Sequence, residues 1–172
     1  WSMANEGLSV LFVEKKKGFD IEARGLLRDL KENLGVSGLQ AVRIINRYDM
    51  EGISEEEYTL SRNLVFSEPP ADIVYDEFIE FDGNDRIIAI EYLPGQYDQR
   101  ADSASQCIQI LTEGERPQVK AARVIVLKGE IPDEDYVRIR NYCINPVECQ
   151  EAALEKPATL DTKANIPEDV KV

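Results

Sequence analysis

Histidine is absent from the 172 residues of this sequence, and cysteine is scarce. Without histidine, a Ser-His-Asp or Cys-His catalytic unit is excluded, and the commonest metal ligand is missing. The three cysteines, Cys107, Cys143 and Cys149, are odd in number and lack CxxC spacing, which argues against a disulfide scaffold or a zinc site. Cys107 follows an apolar helical pattern, so we expect it to be buried in the core.

The sequence also has fewer basic than acidic residues. It contains 20 Lys and Arg and 33 Asp and Glu, which gives a net charge of −13. This balance argues against a nucleic-acid partner and against docking on an anionic membrane. No apolar run approaches the roughly 18 residues that span a bilayer, and no signal-peptide pattern opens the chain. We therefore expect a cytoplasmic protein with neither nucleic acid nor membrane as a partner.

The residues that are present form two similar halves. Residues 13–64 align with residues 90–142 at offsets of 77 to 80 positions and share twelve identities. In the middle of this alignment, Ala41, Arg43 and Ile45 are matched to Ala121, Arg123 and Ile125. The agreement in the order of elements is a stronger argument for duplication than the identities themselves.

The residue pattern of each half predicts a strand, a helix, a second strand and a second helix. The predicted strands are short β-branched or aromatic runs at 8–13, 39–47, 86–93 and 119–128, with an additional alternating strand at 72–80. Helical spacing of apolar residues follows each opening strand, and SEEE at 54–57 predicts a capping box. The pattern predicts an α+β protein of duplicated ferredoxin-like modules that form an internal pseudo-dimer.

These halves also define the expected domains. The first repeat spans residues 8–80 and the second spans 86–150. Residues 151–172 contain prolines and mixed charges without a clear period, so we expect the start of an irregular linker to a further domain.

The densest polar cluster lies at 94–106, where a Pro-Gly turn runs into the start of a helix. Candidate binding or domain-interface residues are Gln99, Arg100, Asp102 and Ser103, because a helix N-terminus and a guanidinium both favour an anion. The alternative is an ordinary solvated helix start with Arg100 in a surface ion pair. No P-loop, dinucleotide-binding or nucleophile-elbow motif is present, so no catalytic or metal-ligating residue is predicted.

Several long stretches carry a family resemblance: FVEKKKGFDIEARGLLRDLKENLG, VRIINRYDMEGISEEEY, LVFSEPPAD, EYLPGQYDQRADSASQCIQILTEGERP and CINPVE. Together they resemble the N-terminal region of phosphoribosylformylglycinamidine synthase, in the long single-chain form found in Firmicutes. The resemblance extends from about Leu8 to the final valine. The stretch around LPGQYDQRADSA is the most specific part.

The resemblance implies a place in purine biosynthesis. The family converts formylglycinamide ribonucleotide, ATP and glutamine to formylglycinamidine ribonucleotide, and ATP and magnesium bind in a synthetase domain outside this chain. A glutaminase domain with a cysteine nucleophile supplies ammonia. The N-terminal region would be a non-catalytic assembly and coupling domain without a cofactor of its own. It would brace the synthetase and glutaminase domains of the same chain and help close the ribonucleotide site and the ammonia path.

The resemblance also suggests roles for the candidate residues. Arg100 would contact the ribonucleotide phosphate or a facing carboxylate, while Asp102 and Ser103 orient Arg100. Gln99 would reach the same active-site cleft, which in this family lies where the synthetase domain meets its neighbours. A different class of function stays open, a stand-alone small-molecule sensor with paired ferredoxin-like domains. Open sheet edges could also drive self-association of the isolated chain.

Overall fold

The computed structural model describes residues 8–68, 70–77 and 79–152. Within them the chain forms six strands and four helices in the order β1, α1, β2, α2, β3, β4, α3, β5, α4, β6. The first five elements are β1 Leu8–Lys15, α1 Ile21–Glu32, β2 Leu39–Glu51, α2 Glu55–Leu64 and β3 Asp72–Asp76. The remaining five are β4 Arg86–Tyr92, α3 Gln99–Thr112, β5 Gln118–Gly129, α4 Asp133–Cys143 and β6 Cys149–Glu151.

All six strands join one antiparallel sheet in the order β3-β1-β2-β5-β4-β6. The two predicted halves therefore contribute three adjacent strands each, and they meet edge to edge where β2 pairs with β5. This central pairing runs from Leu39 opposite Gly129 to Glu51 opposite Gln118. The predicted α+β class is confirmed.

The strand registers of the two halves are related by one constant offset of 77 positions. Adding that offset to both members of a β1·β2 pair gives a β4·β5 pair, and adding it to a β1·β3 pair gives a β4·β6 pair. Examples are Leu11–Tyr48 with Ile88–Ile125, and Val13–Val74 with Ile90–Glu151.

This offset corrects the alignment of β2 with β5. Arg43 binds Glu14 through two hydrogen bonds of 2.7 and 2.8 Å, and Lys120 pairs with Glu91 at 3.0 Å. Arg43 thus corresponds to Lys120 and not to Arg123, the match that residue identity suggested. A shift of three residues turns every side chain of a strand to the other face of the sheet, so the identities there were coincidental.

The helices cover one face of the sheet. Two buried clusters contain helical residues, and each of these clusters draws on both halves. Leu30 of α1 shares one cluster with Ile88 of β4 and Ile125 of β5, whereas Ile108 of α3 shares the other with Leu11 of β1. On the opposite face, a third cluster has no helical member within the described residues and packs against Ile79, Phe81 and Ala152. The halves are therefore joined by their cores as well as by the sheet.

Three expectations about individual segments differ from the structure. The strand predicted at 72–80 ends at Asp76, because Glu77 has a φ of 69° that interrupts the extended backbone, and Phe78 lies outside the described residues. The sequence did not predict β6, which pairs with β4 at the boundary of the predicted linker. Residues 153–172 of that linker also lie outside the described residues.

Cys107 is exposed, so its predicted burial is wrong. The buried residues of α3 are Ala101, Ala104, Ser105 and Ile108. Cys107 lies about 100° around the helix from Ile108 and falls outside this buried stripe. In the described part of the chain, the helices are too short or too polar to cross a membrane.

Candidate functional site

The helix start that carries the predicted site residues is already capped. Asp98 is the N-cap of α3, and its carboxylate accepts hydrogen bonds from the backbone N–H groups of Arg100 at 3.1 Å and Ala101 at 3.2 Å. These amides would otherwise be the donors for a bound anion. An anion at this position would therefore be held by side chains and not by the end of the helix.

Arg100 reaches from α3 to the centre of the sheet. Its Nη1 donates to Oδ1 of Asn46 on β2 at 2.5 Å, and Asn46 lies directly opposite Arg123 on β5. Burial raises the pKa of the neighbouring Tyr48, and the positive charge of Arg100 acts in the opposite direction. The surface ion pair that was the alternative for Arg100 is absent from the described residues, and Arg100 instead contacts a neutral amide of the other half.

Asp102 and Ser103 do not orient Arg100. Asp102 accepts a hydrogen bond from the Tyr97 hydroxyl at 3.0 Å and forms an ion pair with Arg116, which leads into β5. Gln99 and Ser103 are exposed on the outer side of α3. The four predicted residues therefore divide into an inward-reaching Arg100, a loop-fixing Asp102 and two outward-facing polar side chains.

Arg123 is a site residue that the sequence did not single out. Its Nη2 donates to Oε2 of Glu22 on α1 at 2.5 Å, while its Nε is buried without a hydrogen-bond partner in the described residues. Glu22 is the second residue of α1, as Arg100 is the second residue of α3. Both helices thus direct an early side chain onto the central pair formed by Asn46 and Arg123.

A cavity of about 380 Å³ opens beside these groups, and we call it the arginine cavity. It is lined by Arg100 and Arg123, by the acidic residues Glu91 and Asp98, by apolar residues of α1, β4 and β5, and by the end of α4. The side chain of Tyr142 is half-exposed at its edge. The cavity combines two guanidinium groups and two acidic residues with an apolar wall.

A second cavity of about 310 Å³ lies at the corresponding place in the first half. At the positions of Arg100 and Arg123 it has Glu22 and Asn46. Its basic residue Lys15 is occupied by an ion pair, because Lys15 Nζ lies 3.0 Å from Asp72 Oδ1. The two cavities share a location in the fold but differ in charge.

The two thiols that line the arginine cavity are poor nucleophiles. Burial raises the pKa of Cys143 to about 11, and burial together with the nearby Glu148 raises the pKa of Cys149. Both groups are therefore protonated at neutral pH, and the thiolate is the reactive form. In the described ranges, no cluster of three or more His, Cys, Asp or Glu could hold a metal ion. The arrangement is suited to binding.

A separate pair of buried charges lies on the face of the sheet that the helices leave open. Arg47 Nε donates to Asp49 Oδ1 at 2.9 Å, and the Arg47 guanidinium lies 5.8 Å from the centre of the Phe12 ring. Both charged side chains are more than 90% buried. Burial raises the pKa of Asp49, and the charge of Arg47 opposes that change.

No protein family model, no curated protein and no solved structure matches the chain.

Proposed function

We propose that this chain is the non-catalytic assembly and coupling domain of a phosphoribosylformylglycinamidine synthase. The observation that carries the proposal is the stretch EYLPGQYDQRADSAS at residues 91–105, on which the resemblance to that family is strongest. It connects the end of β4 to α3 and supplies Arg100 to the centre of the molecule. ATP and magnesium would bind in the synthetase domain, outside this chain, and the enzyme would act in the cytoplasm.

The proposal includes an internal pseudo-dimer of ferredoxin-like modules. It is supported by the offset of 77 positions, which converts the strand registers of one half into those of the other. Asn46 and Arg123 also differ by 77, so a two-fold axis relating the modules would pass between them. Glu22 and Arg100 approach this axis from opposite sides.

A bracing role is supported by the distribution of polar groups. Gln99 and Ser103 face outward on α3, where a neighbouring domain could contact them, and Arg100 stands behind them. In the full enzyme Arg100 would hold the ribonucleotide phosphate or a carboxylate that faces it. The protonated thiols and the lack of histidine favour coupling over chemistry.

The test is glutamine-dependent formation of formylglycinamidine ribonucleotide by the remaining domains, with and without this chain. We expect activity to require the chain, while the chain alone has none. Full activity of the remaining domains without it would contradict the coupling role. In the full enzyme, Arg100→Ala should raise the Michaelis constant for the ribonucleotide or lower turnover, and Arg28→Ala, on the exposed side of α1, is the matched control.

A stand-alone small-molecule sensor is the second candidate, and the arginine cavity is the observation that favours it. A sensor would be stabilised against heat by its ligand in the absence of other domains. A rise in melting temperature with an amino acid or a nucleotide, combined with dispensability for the synthase reaction, would favour this candidate. Self-association through sheet edges stays a prediction, and the shortness of β3 and β6 works against it.

A further inference from the structure

We propose that the arginine cavity binds a small carboxylic acid with an apolar or aromatic body. This inference does not depend on the assembly role, because it concerns a ligand of this chain alone. It is carried by three observations: the state of the two guanidinium groups, the composition of the cavity wall, and the difference from the second cavity.

Of the two guanidinium groups that line the cavity, one has no ion pair within the described ranges. Arg123 is paired with Glu22, and the carboxylate of Asp98 is engaged by two backbone amides. Arg100 donates to the neutral side chain of Asn46 and has no ion pair in the described part of the chain. A guanidinium offers five N–H donors, and a carboxylate can accept two of them in parallel. Because the carboxylate of Asp98 also lines the cavity, a second negative charge on the ligand would be repelled, so a monoanion fits better than a phosphate dianion.

The buried Nε of Arg123 adds a donor that needs an acceptor. It has no partner among the described residues, and an unmet buried donor of this kind costs about 1–3 kcal/mol. Because Arg100 and Arg123 line the same cavity, one carboxylate placed between them could accept from both side chains. The Nε itself has no accessible surface, so a ligand oxygen would satisfy it only after the Arg123 side chain turns toward the cavity.

The wall of the cavity fits the rest of such a ligand. Leu26, Ile90 and Ile125 supply apolar surface, and Tyr92 and Tyr142 stand half-exposed at the edge. Cavities that hold small molecules are mostly apolar with a few directed polar groups, and about 380 Å³ lies within their usual range.

The second cavity provides an internal comparison. It has nearly the same surroundings, but Glu22 stands where the arginine cavity has Arg100, and its Lys15 is neutralised by Asp72. A carboxylate ligand would meet there the carboxylate of Glu22, which is already paired with Arg123, in place of a guanidinium. Binding should therefore be confined to one of the two cavities.

The experiment is a titration of the complete ¹⁵N-labelled chain with benzoate, with benzamide as a neutral probe of the same shape and phenyl phosphate as a dianionic one. The variants are Arg100→Gln and Arg123→Gln, and Arg28→Gln on the exposed side of α1 is the control that removes the same charge. Alkylation by iodoacetamide gives a second measurement, because Cys143 and Cys149 line the cavity whereas Cys107 lies exposed on α3.

We expect benzoate to shift the amide signals around the arginine cavity and to slow alkylation of its two thiols without affecting Cys107. Loss of a charged hydrogen bond should make Arg100→Gln bind at least about tenfold more weakly, and Arg28→Gln should bind as the unaltered chain does. Benzamide should bind about tenfold more weakly than benzoate. Equal binding of benzamide, tighter binding of phenyl phosphate, or benzoate binding that survives in both Arg100→Gln and Arg123→Gln would overturn the proposal.

Discussion

Leu30, on α1 of the first half, is the residue through which the joining of the two halves can be measured most directly. Its side chain is fully buried in a cluster that contains Ile88 and Leu127 of the second half. If this packing is present, truncation of Leu30 must destabilise strands that are distant from it in sequence. The perturbation is Leu30→Ala.

The expected loss can be worked out from the burial. The substitution removes three carbon atoms from a side chain that has no exposed surface, which forfeits about 2.4 kcal/mol at about 0.8 kcal/mol for each group. The cavity that remains adds to this, and buried Leu→Ala changes cost about 2–5 kcal/mol in general. We expect a loss of about 3 kcal/mol, which lowers the urea midpoint by about 1.5 M for a slope of about 2 kcal/mol per molar.

The assay is native-state hydrogen exchange, with urea unfolding as the independent measure of global stability. Amides of β1 and of β4 should lose the same amount of protection, because both strands contribute to clusters that cross between the halves. Leu64→Ala is the matched control: this side chain on α2 is 64% exposed, and its loss should cost less than about 0.5 kcal/mol. Unchanged protection in β4 of Leu30→Ala would refute the shared core.

Three further predictions concern local features of the fold. Ser54→Ala should lower the free energy of unfolding by about 1 kcal/mol in urea, because it breaks the capping box in which Ser54 and Glu57 exchange hydrogen bonds of 2.9 and 3.2 Å; an unchanged midpoint would contradict this. Glu113→Gly should raise the free energy of unfolding by about 1 kcal/mol, because Glu113 has a left-handed φ of 54°. Glu115→Gly is its control, since Glu115 has no positive φ, and equal effects of the two changes would contradict the reasoning. Burial raises the pKa of the Asp49 carboxyl group in the folded chain above 3.8. The protonated carboxyl group therefore contributes to stability below that pH, and this contribution declines as the pH rises. The stability of the unaltered chain relative to Asp49→Asn should therefore fall in urea titrations as the pH rises above 3.8, and a difference that grows with pH would contradict this.

Features that depend on a few adjacent residues could be predicted from the sequence. The capping box at Ser54 was recognised from SEEE because both of its hydrogen bonds join residues three positions apart. The opening strands and the helices that follow them were placed by hydrophobic periodicity, which repeats over enough residues to be distinctive. A strand as short as β6 has no such repeat, and it forms only because β4 offers an unpaired edge.

The error at Cys107 has a different origin. A helical pattern of small and apolar residues fits more than one buried stripe, and the centre of the stripe depends on the surface that the helix meets. Ser105 is buried because its hydroxyl donates to the Pro117 carbonyl at 2.6 Å and accepts from Arg116. This polar anchor turns α3 so that Cys107 faces solvent while the apolar Ile110 is 70% exposed.

The candidate site could be predicted only in part, because its decisive contacts join the two halves. The sequence indicated Arg100, but it suggested Asp102 as the orienting partner, and side chains two positions apart on a helix do not face each other. The actual partner, Asn46, is 54 positions away and comes within reach only after β2 has paired with β5. Arg123 also joins the site through this pairing, because it lies directly opposite Asn46. The site is therefore a product of how the two halves are joined, and a variant that loosens the β2·β5 pairing should abolish benzoate binding even where each helix remains folded.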